Sequence, residues 1–136
     1  MKKFVFACLA GLLLAIPAQA QSVKLTLECG SPDGATCTGG KHLAEVAAAA
    51  NVAAIQVSGG KVLTRSVRQV AEGKTDMAGS PFILPFLLKK GLGPYSGVGK
   101  RRGLNYFQIS GSYTVITWPA SISLLSKAKE LIAGMI

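Results

Sequence analysis

The stretch Ala54-Ile55-Gln56-Val57-Ser58-Gly59-Gly60, continued through Lys61 to Glu72 and then Gly73-Lys74-Thr75-Asp76-Met77-Ala78, decides the fold. Its first four residues are a short run rich in β-branched side chains, the pattern of a buried strand, and Ser58-Gly59-Gly60 ends that run. From Lys61 to Glu72 the period changes. Leu63, Val67 and Val70 fall on one face of a helix while Arg65, Arg68, Gln69 and Glu72 lie elsewhere, and Gly73 stands where a helix commonly terminates. Thr75-Asp76-Met77-Ala78 then starts another strand. Strand, glycine-bearing loop, helix and strand in this order make a βαβ unit.

The unit extends in both directions. Upstream, Val23-Lys24-Leu25-Thr26-Leu27 alternates apolar and polar residues as a strand does and is stopped by the Gly, Pro and Asp of the next loop. After Thr38-Gly39-Gly40, a helix is expected over 42–50, with Leu43, Val46, Ala47 and Ala50 on one face. Downstream, Gly79-Ser80-Pro81 reads as a loop before a helix within Phe82–Lys90, which starts near Pro85 because proline is tolerated only at a helix start, and stops at Gly91. Gly91 to Gly103 reads as a glycine-rich loop exposing Tyr95, and Leu104 to Trp118 as two strands or a hairpin broken at Ser110-Gly111-Ser112 and ended by Pro119. Ser123 to Ile136 has Leu124, Leu125, Ala128, Leu131 and Ile132 on one helical face. The expected fold class is α/β, a parallel sheet with flanking helices.

The N-terminus carries an export signal: Lys2 and Lys3, an apolar run from Phe4 to Ile16, and Pro17-Ala18-Gln19-Ala20 ending in an Ala-x-Ala cleavage pattern. The run falls short of the ~20 apolar residues of a membrane span. The mature protein is therefore expected to begin near Gln21 and to be periplasmic. The chain has 15 Lys plus Arg against 6 Asp plus Glu; without Lys2 and Lys3 there are 13 basic residues and a net charge near +7. That balance favours anionic partners. The tight cluster Lys100-Arg101-Arg102 has no interleaved aromatic residues and reads as a solvated loop, so no nucleic-acid partner is expected.

Cys29 and Cys37 remain after cleavage, separated by the turn-forming Gly30-Ser31-Pro32-Asp33-Gly34-Ala35-Thr36. In an oxidising compartment they are expected to form a disulfide. A metal site would need more ligands than these two and His42 supply, so no metal or cofactor is expected.

Enzymatic motifs are lacking. His42 is the single histidine, and neither Gly-x-Ser-x-Gly nor His-Glu-x-x-His occurs. The stretch from Gly93 to Lys100 approaches a phosphate loop, but one glycine is displaced and Arg101 replaces the required Ser or Thr; Gly91-Leu92-Gly93 lacks the third glycine of a dinucleotide fingerprint, Ser96 standing in its place. The chain is read as a non-enzyme. Three loops draw attention instead: Gly30-Ser31 with Thr38-Gly39-Gly40, Ser58-Gly59-Gly60, and Gly79-Ser80-Pro81. Each precedes an expected helix at the carboxyl end of an expected strand, where N–H groups and hydroxyls can converge on a small anion. Ordinary helix capping is the other reading of each. Three in succession in an exported chain favour binding, and Gly30, Ser31, Thr38, Gly39, Gly40, Ser58, Gly59, Gly60 and Ser80 are the candidate ligand-binding residues.

From Val23 to about Tyr95 the chain resembles the first lobe of a type II periplasmic solute-binding protein, in particular the TAXI family of solute receptors for tripartite (TRAP) transporters. The resemblance lies in Glu28-Cys29-Gly30-Ser31-Pro32-Asp33-Gly34 with Thr38-Gly39-Gly40, in Ile55-Gln56-Val57-Ser58-Gly59-Gly60, in Leu63-Thr64-Arg65-Ser66-Val67-Arg68, in Val70-Ala71-Glu72-Gly73-Lys74-Thr75-Asp76-Met77, and in Gly91-Leu92-Gly93-Pro94-Tyr95. It implies capture of a small organic anion, a carboxylate or amino acid, and delivery to the membrane permease subunits of a TRAP-type transporter. Family members are more than twice this long and close a second lobe over the ligand. The expected organisation here is a signal peptide over 1–20, a solute-binding lobe over 21–118, and a helical tail over 119–136 that would begin the second lobe of a truncated receptor. The competing expectation is a small exported basic domain that docks on an anionic envelope partner.

Overall fold

A computed structural model describes residues 23–98, 103–108, 114–120 and 122. Five strands form one sheet in the order β2-β1-β3-β5-β4, with β1 at Val23–Glu28, β2 at Ala53–Ser58, β3 at Met77–Pro81, β4 at Leu104–Gln108 and β5 at Thr114–Pro119. The α/β class is thus borne out. The first three strands run parallel, with Leu25 beside Ile55 and Leu27 beside Met77. The expected hairpin completes the sheet: β5 lies antiparallel to β3, with Gly79 beside Ile116, and β4 antiparallel to β5. The sheet is therefore mixed, because a hairpin must reverse direction.

Side-chain alternation divides the sheet between two cores. Leu25, Leu27, Ala53, Met77, Ile116 and Trp118 project to the face covered by α1 (Ala35–Ala49), where they pack with Cys37, Leu43 and Ala47. Ala78, one residue beyond Met77, projects to the opposite face and packs with Val67 and Val70 of α2 (Leu63–Ala71), Leu88 of α3 (Ile83–Lys90), and Tyr95. Side chains such as Leu27, with no exposed surface, each contribute roughly 1.5–3 kcal/mol by leaving water.

Asp76 joins β1 to β3. One of its carboxylate oxygens accepts both the backbone N–H and the hydroxyl of Thr26, each at 2.8 Å, just ahead of the β1–β3 ladder. Gly73 and Gly91, both at positive φ, follow the ends of α2 and α3 as expected.

Four expectations need correction. Helix α1 begins at Ala35, seven residues ahead of the expected start, so Thr38, Gly39 and Gly40 lie inside it and form no loop. Tertiary packing overrides the glycine penalty here: a Cβ on Gly40 would come within 2.7 Å of the end of the Leu27 side chain, so glycine lets the helix lie this close to β1 without displacing that side chain. Gly79-Ser80-Pro81 is not a loop; it is the end of β3, paired with β5. Helix α3 starts two residues before Pro85, which as its third residue has no intrahelical acceptor to lose. Tyr95 is not exposed but fully buried, in a short 3₁₀ turn over Gly93–Tyr95. The signal segment 1–20, the cluster at 100–102, the turn at 110–112 and the tail segment 123–136 lie outside the described residues.

Candidate functional site at the strand ends

The strand order contains a reversal. From β1 the chain passes to β2 on one side, then crosses to β3 on the other, with α1 and α2 on opposite faces. In open α/β sheets such a reversal leaves a crevice at the carboxyl ends of the two diverging strands, here β1 and β3.

The residues at these ends are tightly tied. Cys29 N–H donates to Ser58 O at 2.9 Å, Lys61 N–H to Cys29 O at 3.0 Å, and Gly60 N–H to Gly30 O at 2.5 Å, which zips the loop after β1 to the loop after β2. The Cys29–Cys37 disulfide, with Cα atoms 5.1 Å apart, ties the end of β1 to the first turn of α1. Gly30 N–H donates to the Thr36 hydroxyl at 3.2 Å, a second tie to the same turn. A Cβ on Gly59 would stand 3.2 Å from the Pro32 side chain and 3.5 Å from the Cys37 sulfur, so this loop too lies close against the turn into α1. Across the β1–β3 junction, Gly79 of β3 lies so close to α1 that a Cβ there would stand 2.8 Å from the Thr36 carbonyl oxygen. The N-terminal turn of α1 is therefore held over the β1–β3 junction by covalent, hydrogen-bonded and steric contacts together.

The electrostatics follow from the helix starts. Gly34, Val62 and Phe82 occupy the N-cap positions of α1, α2 and α3; none makes a side-chain cap hydrogen bond, and none of the three helices has an acid in its first turn. The capping reading of the Ser and Thr residues is thus not what these helices use. Uncapped N-terminal N–H groups and the positive end of each helix dipole favour an anion. Two carboxylates lie at the same edge: Glu28, the last residue of β1, accepts the Ser66 hydroxyl at 2.6 Å on the α2 side, and Asp33 is exposed in the turn just before the Gly34 N-cap of α1.

Of the residues singled out in the sequence, Gly30, Ser31, Ser58, Gly59 and Gly60 come together at this edge. Ser31 is exposed, and its carbonyl accepts Gly34 N–H in the turn that leads into α1. Ser80 is the next-to-last residue of β3 and is fully buried, its hydroxyl directed at Pro81 O at 3.4 Å, so it belongs to the wall and not the mouth. Thr38, Gly39 and Gly40 run along α1 past its first turn. Thr36, Gly79 and Glu28 were not among the candidates. Thr36 stood unremarked between the loop residues, and the role of Gly79 needs the register of β3 against α1.

His42 is exposed on α1, with Glu45 3.9 Å away one turn along. No group of three His, Cys, Asp or Glu is placed to hold a metal ion among the described residues, and no helix there is long and apolar enough to cross a membrane. A cavity of about 510 Å³ lies along β1 and β2, lined by Lys24, Thr26, Ala54 and Gln56; another of about 270 Å³ lies beside α2. Apolar side chains also crowd the strand-end rim. Val62 is 67% exposed, Phe82 41%, Ile83 51% and Phe86 37%, with the Phe82 ring edge-on to Tyr106 at 5.4 Å.

No protein-family profile matches this chain, and no curated protein matches it either. Its functional reading rests on residue pattern and geometry.

Proposed function

We propose that this chain is the ligand-binding lobe of an exported periplasmic solute receptor that captures a small organic anion, a carboxylic or amino acid, for the permease subunits of a TRAP-type transporter. The observation that carries the reading is the uncapped N-terminal turn of α1, fixed over the β1–β3 junction by the Cys29–Cys37 disulfide and by Gly79. A carboxylate there meets backbone N–H groups and a helix dipole at no cost of reorganisation. Glu28 at the same edge supplies an acceptor for an ammonium group, which favours an amino acid over a bare carboxylate. The TRAP assignment is supported by the sequence resemblance alone.

The exposed rim of Val62, Phe82, Ile83 and Phe86 fits a surface that a second body or an apolar ligand portion covers. A self-sufficient basic docking domain has no use for it, which makes that alternative the weaker one. Calorimetric titration against a panel of organic and amino acids tests the proposal. Saturable heat with a raised melting temperature for at least one member is expected; no heat and no shift for any member refutes it.

A further inference from the structure

Beside α2 lies a groove of about 270 Å³ lined by Thr64, Arg65, Arg68 and Pro94. Arg68 is held in place from two directions. One terminal nitrogen donates to Pro94 O at 2.8 Å, and the guanidinium stands 6.0 Å from the centre of the Tyr95 ring. Its Nε is buried with no hydrogen-bond partner among the described residues. A guanidinium has five N–H donors in a rigid fork, so this anchoring leaves most of them unused.

Arg65 lies one turn earlier on the same helix, exposed, as the third residue of α2. A cation in the first turn opposes the helix dipole, and like charges three residues apart repel. No acidic side chain pairs with either arginine among the described residues. Two guanidiniums for which no acidic partner is seen among the described residues therefore border one groove, with the Thr64 hydroxyl beside them.

We propose that this groove binds a phosphoryl-type oxyanion, gripped by the Arg65 and Arg68 guanidiniums with the Thr64 hydroxyl as a further donor. A tetrahedral dianion satisfies two forked cations at once, which a single carboxylate does not. The site is independent of the strand-end crevice and stands or falls without it. The same chemistry is offered by a soluble phosphate ester and by a phospholipid headgroup.

The test is titration of the purified protein with inorganic phosphate, followed by calorimetry at ionic strength held constant with chloride. Saturable binding is expected, weakened about ten- to a hundredfold by Arg65→Gln and less by Thr64→Val. Arg65 is exposed and makes no ion pair among the described residues, so its variant should keep the parent melting temperature, and Arg68→Lys serves as a second variant that retains charge but loses the fork. Sedimentation with phosphatidylcholine vesicles containing phosphatidic acid runs in parallel. Binding there that Arg65→Gln abolishes assigns the oxyanion to a lipid headgroup, and phosphate binding without vesicle binding assigns it to a soluble ligand. Absence of arginine-dependent binding in both arms overturns the proposal.

Discussion

Replacing Gly79 with alanine probes the contact that seats α1 on the sheet. The added Cβ would stand 2.8 Å from the Thr36 carbonyl oxygen, and that oxygen is backbone in the first turn of α1. A side-chain end could rotate away; this oxygen moves only if the helix moves. The disulfide from Cys29 to Cys37, one residue further along, resists that motion. Overpacking of this kind costs about 1–3 kcal/mol, which for a domain of this size lowers the melting temperature by roughly 4–8 °C per kcal/mol. Thermal unfolding followed by circular dichroism should therefore show Gly79→Ala melting about 5–20 °C below the parent. Gly40→Ala is the informative comparison. Its Cβ would also be too close, 2.7 Å, but to the end of the Leu27 side chain, and alanine recovers about 1 kcal/mol of helix propensity. Gly40→Ala should accordingly be the milder of the two. If Gly79→Ala melts within about 2 °C of the parent, α1 is not seated on β3 in this way and the strand-end site loses its wall.

Replacing Cys29 and Cys37 together with alanine opens a loop between residues eight apart and should cost about 2–3 kcal/mol in the chain-entropy model, read from urea unfolding. Asp76→Ala leaves the Thr26 N–H and hydroxyl without their acceptor and should cost about 1–3 kcal/mol, while Asp76→Asn, which keeps an acceptor oxygen, should cost less in the same assay. Tyr95 is fully buried, and that burial pushes its phenol up to about 12, the nearby Arg68 guanidinium offsetting part of the rise. The folded state thus holds the phenol neutral while the unfolded chain ionises near pH 10. The contribution to stability is complete below pH 10 and is lost as pH rises toward 12, on the order of 2–3 kcal/mol. Tyr95→Phe should remove this component of alkaline destabilisation. Because the Tyr95 hydroxyl has no partner among the described residues, the variant should be no less stable than the parent at pH 7 in urea unfolding.

Hydrophobic period was enough to place β1, β2, α2 and the β4–β5 hairpin, and the cysteine pair with its turn-rich spacer was enough to foresee the disulfide. What the pattern hid has one physical origin: residues that usually mark loops were used here for close packing. Gly39-Gly40 reads as a break, yet Gly40 is what lets α1 approach Leu27. Gly79-Ser80-Pro81 reads as a turn, yet it is strand, with its glycine under α1 and its serine buried against the other layer. Tyr95 sits in a glycine-rich segment that looked exposed, and is buried because the turn folds it against α2 and α3. The site was legible in part for the same reason. The loop glycines after β1 and β2 announced it, while Thr36 and Gly79 depend on a helix start and a strand register that residue type alone does not specify.

The central claim is that the α1 N-terminus over the β1–β3 junction receives a small anion. Amide chemical shifts of ¹⁵N-labelled protein, recorded during titration with the organic and amino acid panel, test it most directly. Saturable shifts centred on Gly30, Ser31, Ala35, Thr36 and Gly60 are predicted for at least one acid. Shifts confined to other parts of the chain, or none for any acid, would contradict it.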